Sequence, residues 1–414
     1  MVAALIDTGE WWLTMRPERR VLIMAHTVAS AGRLLDVVGV FHGDVRVQLV
    51  FTVPPYVLNR GTADFLRSHG APLIPWRLAT SQHFDLAVSA ELLAIDEVDA
   101  PVALFSHGAS RNKRPIPRGR GSLVVDTAIR GFTRADLVRD SLLVPSAIAL
   151  GHDRELSILE RGCPEALRVA AVVGDPCADR LAAGLSQRTQ FRAALGLRAG
   201  QKLVVLASTW HDEALLANGR HLVEEIVAQL PRNTYRLVLL AHPNITAAHG
   251  SYQLRSWLDH LIRNGVVPLP PEHAWEHVLV AADYIIGDHG SATLYGSIAT
   301  APILLGTYPR HGAHPDSAAA ALATLAPRLS TSAPILDQLV HAETHFEPEA
   351  MAQVASLITS EPGGFARHTR RLLYGMLELG QPAVPPRLPQ ARPLPRLRTL
   401  ETRTRPDADG PVAP

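Results

Sequence analysis

Residues 281–295 read AADYIIGDHGSATLY, and this stretch decides the fold. Tyr284, Ile285 and Ile286 form a short apolar run that reads as a buried strand. The polar loop Gly287-Asp288-His289-Gly290-Ser291 follows, and Ala292, Thr293 and Leu294 suit the first turn of a helix. In an open parallel sheet, ligands sit at the carboxyl ends of strands, where loops run into helix N-termini. Such a terminus offers unpaired backbone N–H groups and a positive dipole end to an anion such as a diphosphate. On this reading Ser291 caps the helix, Gly287 and Gly290 let a ligand approach, and Asp288 and His289 act on it.

Working outward, the same strand-then-helix alternation recurs on both sides. In the second half, strands are expected at 202–207, 236–241, 266–269, 284–286 and 302–305, with an amphipathic helix at 219–229. In the first half they are expected at 21–25, 45–52, 84–89, 102–106, 141–144 and 168–173. Several are near-continuous apolar runs, as parallel strands buried on both faces require. The pattern predicts an α/β protein with two doubly wound, Rossmann-like sheets, one at 1–180 and one at 181–380, facing a cleft. Residues 179–200, helical and rich in Arg and Gln, read as the connector. From 381 to 414 the chain is rich in Pro and Arg without a period, and is expected to be disordered or extended. Two readings stand for that tail: an inert solvated segment, or peripheral contact with the anionic inner face of a membrane.

A chain of 414 residues exceeds one ordinary core and fits two domains. Its 40 basic and 39 acidic residues give a net charge of +1, which offers no electrostatic footprint for nucleic acid. Two cysteines, Cys163 and Cys177, are too few for a disulfide framework. The first twenty residues lack the order of a signal peptide, and no apolar run reaches the length of a membrane span. A cytoplasmic protein is the expectation.

Three elements could carry chemistry. His107 follows the run VALFS and precedes Gly108, so it is expected to project from a strand end, where an imidazole can take a proton from a hydroxyl. Arg111, Lys113 and Arg114 follow closely; they suit a phosphate, and equally a solvated basic loop. His242 occupies the matching place after RLVLLA, with Pro243 ending the strand; a ligand-binding His and one bonded to backbone are both open. The segment Ser208-Thr209-Trp210-His211-Asp212 follows KLVVLA, and its hydroxyls could bond a ligand while Trp210 packs.

Together these elements resemble one family, the CDP-glycerol glycerophosphotransferases that build teichoic acids. KLVVLASTWHD is similar to their PTWR segment, LVLLAHPN to their HP segment, and ADYIIGDHGSATLYGSIATAPILL to their AD…DYSS…PV segment. LFSHGASRNKR resembles WHGTPLKK, and VVGDPCADRL resembles GxPRxD. Order and spacing match over 102–306. The chain departs from the pattern at Ser106 for Trp, at His211 for Arg, at His289-Gly290 for Tyr-Ser, and near Tyr295, where an acidic residue is usual. The resemblance implies a GT-B architecture and transfer from a nucleotide-activated donor, a CDP-alcohol or sugar nucleotide, without metal or other cofactor. The acceptor would be a polyol or glycan, lipid-linked or free, in cell-envelope polymer synthesis. His107 would be the base. His242, Ser291 and Thr293, with Asp288, His289 and Gly290, would hold the donor phosphates, bordered by Ser208 and Thr209. Arg111 and Lys113 would meet acceptor or phosphate.

Other readings compete. His273-Ala-Trp-Glu276-His277 spells the inverted zinc-peptidase motif H-x-x-E-H, with Glu343 as a conceivable third ligand. Pro268, Pro270 and Pro271 just upstream argue against the long helix that motif needs. A non-catalytic GT-B scaffold would explain the departures. A sugar-nucleotide epimerase would keep the fold, but no acidic pair stands out beyond Asp283 and Asp288.

Overall fold

The computed structural model describes residues 14–109, 112, 129–309, 313–389 and 394–404. The chain divides into two compact units: Met1–Asp179 with His311–Ala318 and Ser356–Gln390, and Arg180–Arg310 with Ala319–Ala355 and Ala391–Pro414.

In the first unit, parallel strands β1 (Arg19–Met24), β2 (Val47–Thr52), β3 (Leu73–Ile74) and β4 (Leu86–Ser89) are joined by helical crossovers, and a loop of turns leads from β4 to the parallel β5 (Val102–Leu104). Strands β6 (Val138–Arg139) and β7 (Leu142–Leu143) form a separate antiparallel hairpin, and β8 (Ala147–Leu150) and β9 (Ala170–Val172) complete the main sheet. Its order is β3-β2-β1-β4-β5-β8-β9, so the winding reverses between β1 and β4. Val21 to Met24 are wholly buried, as expected of the central strand of a two-layered sandwich. Just after β1, Thr27 starts the helix Val28–Val38 with a capping box: Ser30 N donates to Thr27 Oγ1, and Thr27 N donates to Ser30 Oγ.

In the second unit, β10 (Lys202–Ser208), β11 (Tyr235–Ala241), β12 (Val266–Pro268), β13 (Tyr284–Gly287) and β14 (Ile303–Leu305) form a parallel sheet ordered β12-β11-β10-β13-β14. Here the reversal lies between β10 and β13, paired from Val204↔Tyr284 to Ala207↔Gly287. The alternation expected from sequence is therefore present in both units.

Four expectations are corrected. The run at 141–144 is no sheet strand: Leu142–Leu143 is one arm of the hairpin, which turns through positive φ at Asp140 and Ser141. The sheet strand is the Ala-rich Ala147–Leu150, whose weak β-propensity hid it. The 179–200 segment is helical as expected, but from Arg180 on it is part of the second unit rather than a connector, with Arg188 and Arg192 both paired to Asp283. Finally, the chain does not leave the first unit for good at 180. The helix Phe365–Met376 returns to that unit, where Phe365, Leu373 and Tyr374 join the core around β1. Periodicity marks such a helix but cannot say which of two apolar sheets it will cover. Nor is the tail uniformly extended: Arg370 Nη1 donates to the carbonyls of Pro382 and Val384, and Leu397–Thr404 is a helix with Leu397 and Leu400 buried.

Candidate functional site

At the carboxyl edge of the first sheet, three strand exits bring titratable groups together. β1 ends in Ala25 and His26, β4 in Ala90 and Glu91, and β5 in Phe105, Ser106 and His107. His107 Nδ1 lies 3.3 Å from the carbonyl oxygen of Ala90 and 3.3 Å from Glu91 Oε1. Neither a carbonyl nor a carboxylate has a proton to give, so Nδ1 donates. The neutral ring then carries its lone pair on Nε2, the form a general base needs. His107 and Glu91 keep 43% and 28% of their side chains exposed, so the pair is open to a ligand.

The surroundings hold this geometry. Ser89, wholly buried, donates to the Glu91 carbonyl at 2.7 Å and accepts from the Glu91 N–H at 3.1 Å. His26, also buried, donates from Nε2 to Leu93 O at 2.8 Å. Burial pushes His26 below its ordinary value against the pull of Glu91, so it stays neutral at neutral pH. Tyr56 packs its ring edge against His26, and burial, aided by Glu91, raises its hydroxyl. Behind the His107 loop, the buried pair Arg33–Asp175 closes at 3.0 Å. Arg33 also reaches the Gly108 carbonyl at 3.4 Å.

At the carboxyl edge of the second sheet the pattern differs. Asp288, at the end of β13, is wholly buried. Its Oδ2 accepts from the N–H groups of Thr209 and Leu215 at 2.8 and 2.9 Å, and its Oδ1 from Gly290 N at 2.8 Å. The carboxylate thus ties the exits of β10 and β13 together across the point where the winding reverses, the place where open α/β sheets bind ligands. His242, at the end of β11, accepts from Asn244 N at 3.1 Å through Nδ1 and so caps the helix Pro243–His249. Its proton therefore sits on Nε2, making that nitrogen a donor. Trp210 stacks on His211 at 3.6 Å and lies 6.3 Å from His242. His211 holds a left-handed φ of 98°, a backbone strain of the kind that gathers at functional sites.

No protein-family model and no curated protein sequence matches this chain. Solved structures do. A histidine-to-asparagine variant of the wall teichoic acid polymerase TagF, soaked with CDPG, superposes with a TM-score of 0.57 at 14% identity, over 91% of this chain and 93% of that one. TagF itself superposes with a TM-score of 0.52 at 13% identity over the same shares. The fold is GT-B-like.

Within this GT-B-like chain, the residues expected at the site divide. His107, His242, His289 and Ser291 stand at strand exits and are partly accessible. Asp288 does not point at a ligand: it is spent on three backbone N–H groups, and the Gly290 amide is among them. Ser208 is buried, and its hydroxyl accepts from Leu216 N at 3.0 Å. Thr293 is buried against the strand; a Cβ on Gly287 would sit 2.1 Å from its Oγ1, so Gly287 serves helix packing rather than ligand approach. The helix Ser291–Tyr295 takes Gly290 as its N-cap, with Ser291 as its first residue. Thr209 is buried beside Gly290. Arg111 and Lys113 lie outside the described residues.

The H-x-x-E-H residues are otherwise engaged. The helix begins at Trp275, beyond His273; Glu276 is buried against Arg180, and His277 stacks on Phe191 at 4.1 Å. Among the described residues, no group of three or more His, Cys, Asp or Glu is placed to hold a metal ion. No described helix is long and apolar enough to cross a membrane.

Sequence reading missed His26 and Glu91. A signal for His26 was present: VLIMAH, VALFSH and LVLLAH each end an apolar run in a histidine. Glu91 carried none, because only strand order puts β4 beside β5.

Proposed function

We propose that the chain is a GT-B transferase that moves a glycerophosphate, polyol-phosphate or sugar group from a nucleotide-activated donor to a hydroxyl acceptor. The observation that carries this reading is the opposite proton placement on two strand-exit histidines. His107, with the Ala90 carbonyl accepting from Nδ1 and the Glu91 carboxylate beside it, presents a basic Nε2, while His242, with a donor at Nδ1, presents an N–H. A base suits the acceptor hydroxyl, and a fixed N–H suits charge developing on a departing phosphate. His289 and Ser291, at the exit of β13, are the further candidates for the donor side. In the step proposed, His107 Nε2 takes the acceptor's proton as the acceptor oxygen bonds to the transferred group. The bond from that group to the nucleotide phosphate oxygen breaks, and its electron pair leaves with the nucleotide. The likeness to TagF supports CDP-glycerol as the first donor to try, a polyol or glycan phosphate as the acceptor, and cell-envelope synthesis at the inner membrane face as the setting.

A thermal-shift screen against CDP-glycerol, CDP-ribitol, UDP-sugars and GDP-sugars tests the reading, because a ligand of the native state raises the melting point. A shift with one donor that disappears in His242→Ala supports a transferase and names the donor class. Binding with no transfer to any polyol acceptor would favour the non-catalytic scaffold.

A further inference from the structure

We propose that Glu91 is the positioning residue of the His107 base, holding the ring and balancing the positive charge that the ring gains with the acceptor's proton. This rests on the reading of His107 as the base. Three observations carry it. Glu91 Oε1 is 3.3 Å from Nδ1, on the side of the ring away from the nitrogen that would take the proton. The Glu91 backbone is pinned at both its N–H and its carbonyl by a single buried serine, so the carboxylate is held in place rather than borrowed from solvent. The Ala90 carbonyl already accepts from Nδ1 and is enough to set the tautomer. What it cannot supply is a full negative charge beside the imidazolium, and Glu91 does. Among the described residues, the other titratable groups coupled to the pair are His26 from the exit of β1, kept neutral by burial, and Tyr56 from the loop after β2, on which Arg130 acts in the opposite sense to Glu91.

The balance is that of a proton transfer alone. The proton moves from the acceptor hydroxyl to Nε2 and later to solvent, while Nδ1–H stays on the ring and Glu91 stays ionised throughout.

The test uses the whole protein labelled with 15N at histidine, without ligand. The His107 signal is assigned by its loss in His107→Ala. In Glu91→Gln an uncharged side chain of the same size stands beside Nδ1, which keeps its bond to the Ala90 carbonyl, so the pH at which the His107 signal titrates is expected to fall. Glu91→Asp should restore part of the difference. In turnover, Glu91→Gln should lower kcat by about tenfold to a hundredfold. Donor KM should be unchanged, and the acid limb of the rate profile should move to lower pH. A titration unchanged in both Glu91→Gln and Glu91→Ala would overturn the proposal. Absence of turnover in the unaltered protein would sink the transferase reading instead, and the ligand-free titration would still decide the pairing.

Discussion

The two sheets share a winding and use its reversal point differently. In the first unit, the exits of β1, β4 and β5 gather His26, Glu91 and His107, with two of the three open to solvent. In the second, the carboxylate at the reversal point is wholly buried and consumed by backbone N–H groups, leaving rings and amides at the rim. One edge leaves its charge open to solvent, whereas the other turns its charge inward to fix a scaffold. A carboxylate offered to a diphosphate would repel it. The same carboxylate turned inward organises the loops without that cost. Topology names the place where a ligand sits, and local hydrogen bonding decides what that place can do.

The sharpest way to break this contrast is at its two centres. His107→Ala should lower transfer about a thousandfold, the usual scale for a positioned base, with donor affinity by calorimetry near that of the parent. Surviving turnover would remove His107 from the chemistry. Asp288→Ala should act on stability instead. It strands three N–H groups where the carboxylate was wholly buried, at about 1–3 kcal/mol each before relaxation, and thermal melts should show a large loss. Asp288→Asn, which keeps one acceptor oxygen, should lose less. A stable but inactive Asp288→Ala would show instead that the buried carboxylate acts on the ligand.

Smaller effects sharpen the comparison. Gly287→Ala forces a methyl against Thr293 Oγ1 and should cost about 1–3 kcal/mol of stability in urea titrations. His242→Ala should weaken donor binding about tenfold, as expected for losing one charge-assisted hydrogen bond, and lower kcat as well, because the N–H meets charge that grows as the phosphate departs. The last prediction concerns pH. Burial holds His26 and His152 in the first unit, and His277 in the second, below the ordinary 6.5. The unfolded chain binds those protons more readily. Their contribution is therefore complete above pH 6.5 and is lost as pH falls through the lower folded values. Melts between pH 7 and 5 should show this loss, and His26→Asn should flatten it; an unchanged slope would mean that other groups set it.

Much of this was legible from particular residues. The apolar runs ending in His107 and His242, and the loop after Tyr284, announced strands with polar and titratable groups at their exits, since burial on both faces leaves a strand few choices of residue. The loop residues misled where a polar side chain had two possible partners. Asp288, Ser208 and Thr293 are the right types to hold a ligand, yet the fold spends Asp288 and Ser208 on backbone N–H groups and buries Thr293 against Gly287. Glu91 was invisible for the opposite reason. It sits sixteen residues before His107 with no motif around it, and only the pairing of β4 with β5 brings the two together.

By itself, then, the sequence determined the two parallel sheets and which residues leave their strands at the carboxyl edge. Those features follow from burial and period along a single run of chain. Which edge would keep an exposed imidazole beside a carboxylate, which carboxylate would be sealed inside, and which unit would receive the helix Phe365–Met376 were decided only in the tertiary structure. Each depends on partners far apart in sequence competing for the same hydrogen bonds and the same apolar surface.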